Sequence, residues 1–481
     1  MKKLIHILIA SALVLFVGCS EDYLERVPTD SITDTDLFST VVGAQTAIHG
    51  IHRSTYQYYR AHDKFGQKAV DLAMDLLGED MYQTTRGYGW FVSWYQYLDH
   101  RNINSSNLEY VWEYYYDIVD NANLIIQNID NASDAALNVE RVNNIKGQAL
   151  TYRAYSFYQL VQLYASRYVI GGTNSQLGIP IPIVASQEGL ARSTVDQVYT
   201  QIFKDINDAI AAFEAAPSIG RANKSEINLR VAQGMKARFS LTTGKWEDAA
   251  AMAHAARTGY LPTNDNESGM NSTTDQEWIW GAVLIDEQQT SYASFFSHID
   301  PLFGGYATLG NHKCLSTDVY NFMSDTDTRK SMFATIAGKP RVGLKFTGWG
   351  EWTNDYLYMK AGEMYLIEAE ALARQDKFAE AQDVLFDLIS TRDPAYVKSA
   401  LTGDELIAHI LMHRRADLWG EGFRFLDIKR LGIPLDRRNL GHNETLWNGV
   451  DFREATSLDL IFLIPKQEMD ANPLMVQNEI E

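Results

Sequence analysis

The stretch from Asp355 to Ile389 admits few folds, because its apolar and polar residues recur with a helical period and are interrupted only once. In DYLYMKAGEMYLIEAEALARQDKFAEAQDVLFDLI, that period puts Tyr358, Gly362, Tyr365, Leu366, Ala369, Leu372 and Ala373 on one face. Lys360, Glu363, Glu370 and Arg374 form a stripe opposite. The spacing predicts a helix with a packing side and a polar side. Gly362 and the alanines permit a second rod to approach closely, and Glu370 with Arg374 makes an i,i+4 pair worth roughly 0.3 kcal/mol. Gln375, Asp376 and Lys377 leave only a short break, so a second helix, Phe378 to Ile389, must fold back as an antiparallel hairpin.

The same pattern occurs earlier. In GMKARFSLTTGKWEDAAAMAHAA, Ala237, Leu241, Trp246 and Ala249 have the spacing of Ala369, Ala373, Phe378 and Ala381. A small residue on the first helix, an aromatic after the turn and an alanine three further on meet the packing requirement of a tetratricopeptide-type hairpin. One such hairpin cannot bury its face alone, so a stack of helices is expected. Beyond the second copy, RRADLWGEGFRFLDIKRLG interleaves Arg415, Asp417, Glu421, Arg424, Asp427 and Arg430 with Leu418, Trp419, Phe423, Phe425, Leu426 and Ile428. Charges of both signs among large apolar groups predict a partly buried ion network that is tolerable only when fully paired.

These motifs in order, YMKAGEMYLIEAEALA, RRADLWGEGFRFLDIKRLG and a terminal IFLIPKQEMDANPLMVQNEI, resemble the SusD/RagB-type outer-membrane nutrient-binding lipoproteins. VNNIKGQALTYRAYSFYQLVQLYA and the start of the chain extend the resemblance over nearly the whole length. It implies a mainly α, SusD-like fold, in which tetratricopeptide-type hairpins near 228–258 and 355–390 form a right-handed superhelical scaffold. A loop-rich lobe with short strands, about 259–354, completes a single domain, 37–481. The resemblance also implies capture of oligosaccharides at the cell surface and their delivery to a SusC-like TonB-dependent β-barrel transporter. A peptide-binding member of the family, or an envelope scaffold without a small ligand, is the alternative. Tyr115, Asn121, Asn123, Arg153 and Ala154 match family positions and are expected to bond helices to one another.

Composition agrees with one large domain. Hydrophobic residues make up 46% of the 481, and no Pro, Gly or Ser-rich linker divides the chain. A formal charge of -19 repels phosphate backbones, which argues against a nucleic-acid partner.

MKKLIHILIASALVLFVGC has a basic start and an apolar run of signal-peptide length, so 1–18 is expected to be a leader. Val17 and Gly18 before Cys19 resemble a lipobox, with Phe16 where Leu is usual. Acylation of Cys19 would anchor the protein in the outer membrane at about 0.8 kcal/mol per buried methylene. Residues 19–36 then read as a lipidated tether, followed by a helix from Val41 to Tyr59. Further helices are expected at Trp112–Ile129, Val139–Tyr168, Val195–Phe213 and Leu229–Thr242.

Tyr82, Tyr88, Trp90, Phe91, Trp94, Tyr95 and Tyr97 crowd a short segment with Gly87 and Gly89, and no single period organises them. Rings on a glycine-bearing loop can offer flat faces to pyranose C–H groups, while Arg86 can hydrogen-bond hydroxyls. The alternative is that any one of these rings is core. Candidate ligand residues are Tyr82, Arg86, Tyr88, Trp90 and Trp94, with Tyr306, Trp349 and Trp352 among loop glycines in a second set. Trp278 and Trp280 alternate with apolar neighbours and are expected to be core.

Other chemistry fails residue by residue. His409 and His413 have zinc-ligand spacing, but Ile410 stands where a metalloprotease needs its glutamate. Asn264, Asn266, Ser268, Gly269 and Asp275 have the register of a calcium loop with the wrong first and last ligands. No nucleophile elbow or phosphate loop is found, so no catalytic residue, metal or cofactor is expected.

Overall fold

The computed structural model describes residues 34–480 apart from 187, 264–268 and 351. The expected leader, Cys19 and nearly all of the tether lie outside the described residues, as do Asn264, Asn266 and Ser268.

The architecture is mainly α. Helix α1, Val41–Ser54, is capped by Thr40, whose hydroxyl accepts from the Gly43 amide at 3.2 Å. It stops short of the expected Tyr59, because the Ser54 and Thr55 hydroxyls take the Ile51 and His52 carbonyls at its last turn. After α2, Gln67–Leu77, the rods α3, Ser106–Asn128, and α4, Val139–Tyr164, run against each other. Then come α5, Val195–Glu214, α6, Leu229–Thr243, and α7, Trp246–Arg257. The stack continues with α8, Ala361–Ala373, α9, Phe378–Arg392, and α10, Gly403–Asp417, before α11, Arg424–Leu431.

Each rod is placed by a specific contact. Gly147 of α4 leaves room for Phe213 of α5, which a Cβ would approach to 3.0 Å. Arg153 of α4 donates to Asp205 of α5 at 2.6 Å and to Asn123 of α3 at 2.9 Å, so one buried guanidinium ties three helices. Tyr115 likewise reaches Gln67 on α2, whereas Asn121 bonds only within its own helix.

The two hairpins share one turn geometry. Gly244 and Asp376 both take left-handed backbone, and the amides of Lys245 and Lys377 reach back five residues to Ser240 and Leu372, at 2.9 and 3.1 Å. Ala237, Ala249, Ala369 and Ala381 are all fully buried, and α7 packs on α8 to join the hairpins.

Two expectations about Asp355–Ala373 are corrected. Residues Tyr356–Lys360 form a strand, antiparallel to Trp278–Ala282, and the helix begins only at Ala361. The alternating Tyr-Leu-Tyr-Met suits a strand as well as a helix, and pairing with the buried Trp278 and Trp280 decides between them. Nor does α8 have a solvated side: every residue from Ala361 to Ala373 is buried. Its carboxylates meet cations on neighbouring rods instead. Glu363 pairs with Arg238 at 2.6 Å, Glu368 with Arg257 at 2.6 Å, and Glu370 with Arg430 at 2.8 Å. The predicted Glu370–Arg374 pair is present at 2.9 Å.

The strands make a small lobe beside the stack. Calling Met81–Gln83 β1, Trp278–Ala282 β2, Lys313–Leu315 β3, Phe333–Ile336 β4, Lys339–Gly343 β5 and Tyr356–Lys360 β6, one antiparallel sheet has the order β1-β3-β5-β4 and β2 pairs with β6. The Arg414–Gly432 signature fastens this lobe to the helices: Arg415 pairs with Asp80 and Asp318, at 2.5 and 2.7 Å, and Arg414 and Arg430 both hold Asp427. Burial opposes ionisation of Asp427, yet Arg414 and Arg430 hold its carboxyl down at about 2. Gly343 of β5 lies so close to the buried Trp419 that an added Cβ would sit 2.1 Å from the indole. Gly343→Ala should therefore cost roughly 1–3 kcal/mol by overpacking, read as a lower denaturation midpoint. An unchanged midpoint would mean that Trp419 has room to move.

Candidate functional site

Four loop segments converge on Tyr306. The segment 302–306 is held from beneath by Asp300, whose carboxylate accepts from the Leu302, Phe303 and Gly348 amides at 2.8, 3.3 and 2.6 Å. Ser297 adds a carbonyl to Ala307 and a hydroxyl to the Tyr306 amide. The Tyr306 ring lies on His298, with centroids 5.0 Å apart, and its phenol meets His62 Nδ1 at 2.6 Å. His298 is buried and bonded to the His62 carbonyl at 2.7 Å. Burial, then the charge of Lys313, push its pKa down to about 3, so it supports the ring as a neutral imidazole.

Around Tyr306 the rings are continuous. Tyr88, Tyr292, His62 and Trp90 have centroids within 5.4 to 5.9 Å of it. Tyr292 continues to Trp352 at 5.5 Å, and His62 stacks on Trp90 at 5.5 Å and meets Tyr58 at 6.2 Å. Tyr88, Tyr292 and Tyr58 are 72%, 47% and 48% exposed, while Trp90, Tyr306 and Trp352 are half-buried. The result is an open aromatic platform.

The backbone beneath it is unusual. Of twelve non-glycine residues with positive φ among those described, Arg60, Phe91, Ser291 and Trp352 sit in the four segments that build the platform. Side chains avoid that conformation, and it persists only where surrounding structure imposes it, as at binding sites. Gly89, at φ 94, closes the turn between Tyr88 and Trp90 through its amide to the Arg86 carbonyl.

Of the candidates read from the sequence, Tyr88, Trp90, Tyr306 and Trp352 are brought together. Arg86 is exposed two residues before Tyr88, and Trp349, 47% exposed, lies on the Trp352 loop with its indole N–H directed to Thr353. Two are corrected. Trp94 is 3% exposed, stacked between His100 and Phe462, because its short helix packs on the C-terminal segment. Tyr82 is 5% exposed within β1 and gives its phenol to the Pro340 carbonyl. Both are structural. Sequence reading missed His62 and Tyr292, which stand singly among polar and small residues and carry no local signal, and Tyr58, which falls in the Tyr56–Tyr59 run expected to end a helix.

Flat rings at this spacing suit the C–H faces of sugar rings. Asp300, fully committed to backbone amides, offers no free general base. Two surface clefts share no residue with the platform: one of about 440 Å³ beside Tyr168, Phe203 and Lys245, and one of about 300 Å³ beside Trp112 and Tyr116.

Comparison with known proteins gives two family matches. A family described as starch-binding associating with outer membrane matches residues 22–241, and the SusD family matches residues 316–480. A SusD-like protein of Bacteroides ovatus is 21% identical over 242 residues, which is 50% of this chain and 40% of that protein. The chain thus spans well under half the length of that curated relative. Among solved structures, a SusD-like carbohydrate binding protein of Bacteroides vulgatus superposes with a TM-score of 0.78 at 24% identity, covering 91% of this chain and 97% of the other. Surface glycan-binding protein A of Bacteroides thetaiotaomicron, solved with laminarihexaose, gives 0.70 at 15% identity, covering 91% and 99%.

Proposed function

Because the chain belongs to the SusD family, we propose that it captures an oligosaccharide on the Tyr88–Trp90–Tyr292–Tyr306–Trp352 platform and passes it, unaltered, to a SusC-like TonB-dependent transporter. The observation that carries this reading is the continuous run of exposed and half-buried rings on loops held from below by Asp300, Ser297 and His298. A solved relative in complex with laminarihexaose and another described as laminarin-binding support a saccharide over a peptide. Stacking on two or three rings gives micromolar rather than nanomolar affinity, which suits capture followed by release.

The test is calorimetric titration of purified protein with oligosaccharide and peptide panels. Saturable heat with a saccharide, quenching indole fluorescence, is expected. Binding to peptides alone, or to nothing but the transporter, would overturn the proposal.

No described helix is long and apolar enough to cross a membrane. Attachment to the outer membrane through acylated Cys19 is part of the proposal. Cys19→Ala should move the protein from the membrane fraction to the soluble one, and retention in the membrane would exclude this anchor.

A further inference from the structure

The cleft beside Trp112 and Tyr116 is acidic on every wall. Glu113, Asp117, Asp120, Glu188 and Glu468 line its volume of about 300 Å³, and no lysine or arginine does. Glu113, Asp117 and Asp120 fall at i, i+4 and i+7 of α3, which turns them to one side of that helix. None of the five carboxylates belongs to an ion pair among the described residues; Glu468 takes the Asn472 side-chain amide at 2.9 Å and keeps its charge.

Cations nearby do not balance these acids. Lys64 donates to the Ser106 carbonyl, Lys466 pairs with Asp470, and the buried Arg192 donates to the Gly178, Tyr164 and Val476 carbonyls. Glu109 and Asp470 on the same elements add to the acidic side. Partial burial raises the pKa of Glu113, Asp117 and Asp120; Glu109 and Asp117 then raise Glu113 further, ahead of the opposing Lys64, and Asp120 does the same to Asp117.

Trp112 adds a second requirement. It is 4% exposed, lines the cleft and packs on Tyr116 and Tyr164, with centroids 4.7 and 4.8 Å away. Its indole N–H, a donor only, meets no acceptor among the described residues and, unlike those of Trp90 and Trp278, is not sealed from solvent. A donor so deeply set at a cleft is satisfied by an acceptor on whatever enters.

The rim is apolar and its segments are tied together. Tyr116 and Asn123 donate to the Pro180 and Pro182 carbonyls, at 3.0 and 2.9 Å, and Asn472 joins the C-terminal segment to the Leu190 carbonyl at 2.9 Å. On these segments Ile183, Val184, Leu190, Leu474 and Val476 are 42–56% exposed. Scattered exposed apolar side chains are ordinary, but a group of them around one cleft is the mark of a protein-binding surface.

We propose that this face docks a basic segment of a partner protein, whose lysine or arginine side chains enter the acidic cleft, whose backbone carbonyl accepts from Trp112, and whose apolar side chains cover Leu190 and Leu474. Charge complementarity sets the sign of the partner, since the carboxylates repel an acidic segment. The indole N–H favours a polypeptide over a free polyamine, which brings cations without an acceptor. The cleft shares no residue with the platform, so this partner is independent of the glycan reading.

Purified protein is titrated, at low and at high salt, with a heptapeptide alternating leucine with arginine, with the same peptide carrying glutamate for arginine, and with spermidine. At low salt the arginine peptide should bind roughly tenfold more tightly than the other two probes, and added salt should close the gap. Asp117→Asn with Asp120→Asn should weaken the arginine peptide about tenfold, and Leu190→Ser with Leu474→Ser should weaken it without changing its salt dependence. Saccharide affinity should stay at the wild-type value in both variants. Arginine-peptide binding that is matched by the glutamate peptide, or unchanged in the asparagine variant, would overturn the proposal. Spermidine binding as tightly as the arginine peptide would overturn it too, in favour of a free polycation.

Discussion

Asp417→Ala should destabilise this protein by about 3–5 kcal/mol, the range for removing one partner of a buried ion pair. Asp417 is 3% exposed at the end of α10, and three cations converge on it: Arg392 at 2.9 Å, Lys360 at 3.0 Å and Arg329 at 3.6 Å. Those cations come from α9, from β6 and from the turn before β4, so one carboxylate locks the strand lobe to the helical stack. Burial by itself would raise its pKa, but Arg392, Lys360, Arg329 and Lys345 hold it well below the usual carboxylate range.

The sign of the linkage follows. A depressed folded value means that the stabilisation is present above the unfolded pKa, near 3.8, and is lost as pH falls through the folded one. Glu421 and Glu277 still face Lys360 and Arg392 in the variant, which limits the loss. Asp417→Asn keeps the volume and removes only the charge, so comparing the two variants separates charge from cavity. Chemical denaturation should show both midpoints well below wild type and a shallower dependence of stability on acid pH. Wild-type midpoints in both would show that the convergence of cations is not what holds the lobe.

The hairpins are readable because their requirements are local: small residues at a fixed spacing and an aromatic after a short break; the left-handed turns at Gly244 and Asp376 are seen only in the structure. The aromatic crowd between Tyr82 and Tyr97 was readable only as a crowd. What decides the role of each ring is a partner far away in sequence. Trp94 is closed off by Phe462, Tyr82 is claimed by the strand that pairs with Cys314, and Trp90 stays open because its neighbours are His62 and Tyr306. Tyr356–Lys360 failed for the same reason, since its strand partner begins at Trp278. The stripe on α8 is legible in the sequence only as a polar side, because a helical wheel shows charge without showing what faces it. Arg238, Arg257 and Arg430 come from three other helices.

Removing two platform rings together, Trp90→Ala with Trp352→Ala, should weaken saccharide binding about a hundredfold. Each ring contributes on the order of 1–2 kcal/mol to a stacked sugar, and 1.4 kcal/mol is a factor of ten. The two are independent enough to add, because they touch different neighbours: Trp90 packs on His62 and Tyr306, and Trp352 on Tyr292. Both are half-buried on loops outside the stack, so the unfolding midpoint should fall far less than for a core tryptophan. Trp94→Ala supplies that contrast. It empties a site between His100 and Phe462 and should cost roughly 3–5 kcal/mol of stability, while any folded molecules retain the platform and its affinity. Titration and melting of the two variants therefore move in opposite ways if the platform is the binding surface. Were the double variant to bind as wild type does, the ligand would have to sit elsewhere, with the clefts beside Phe203 and Trp112 the next places to probe by substitution.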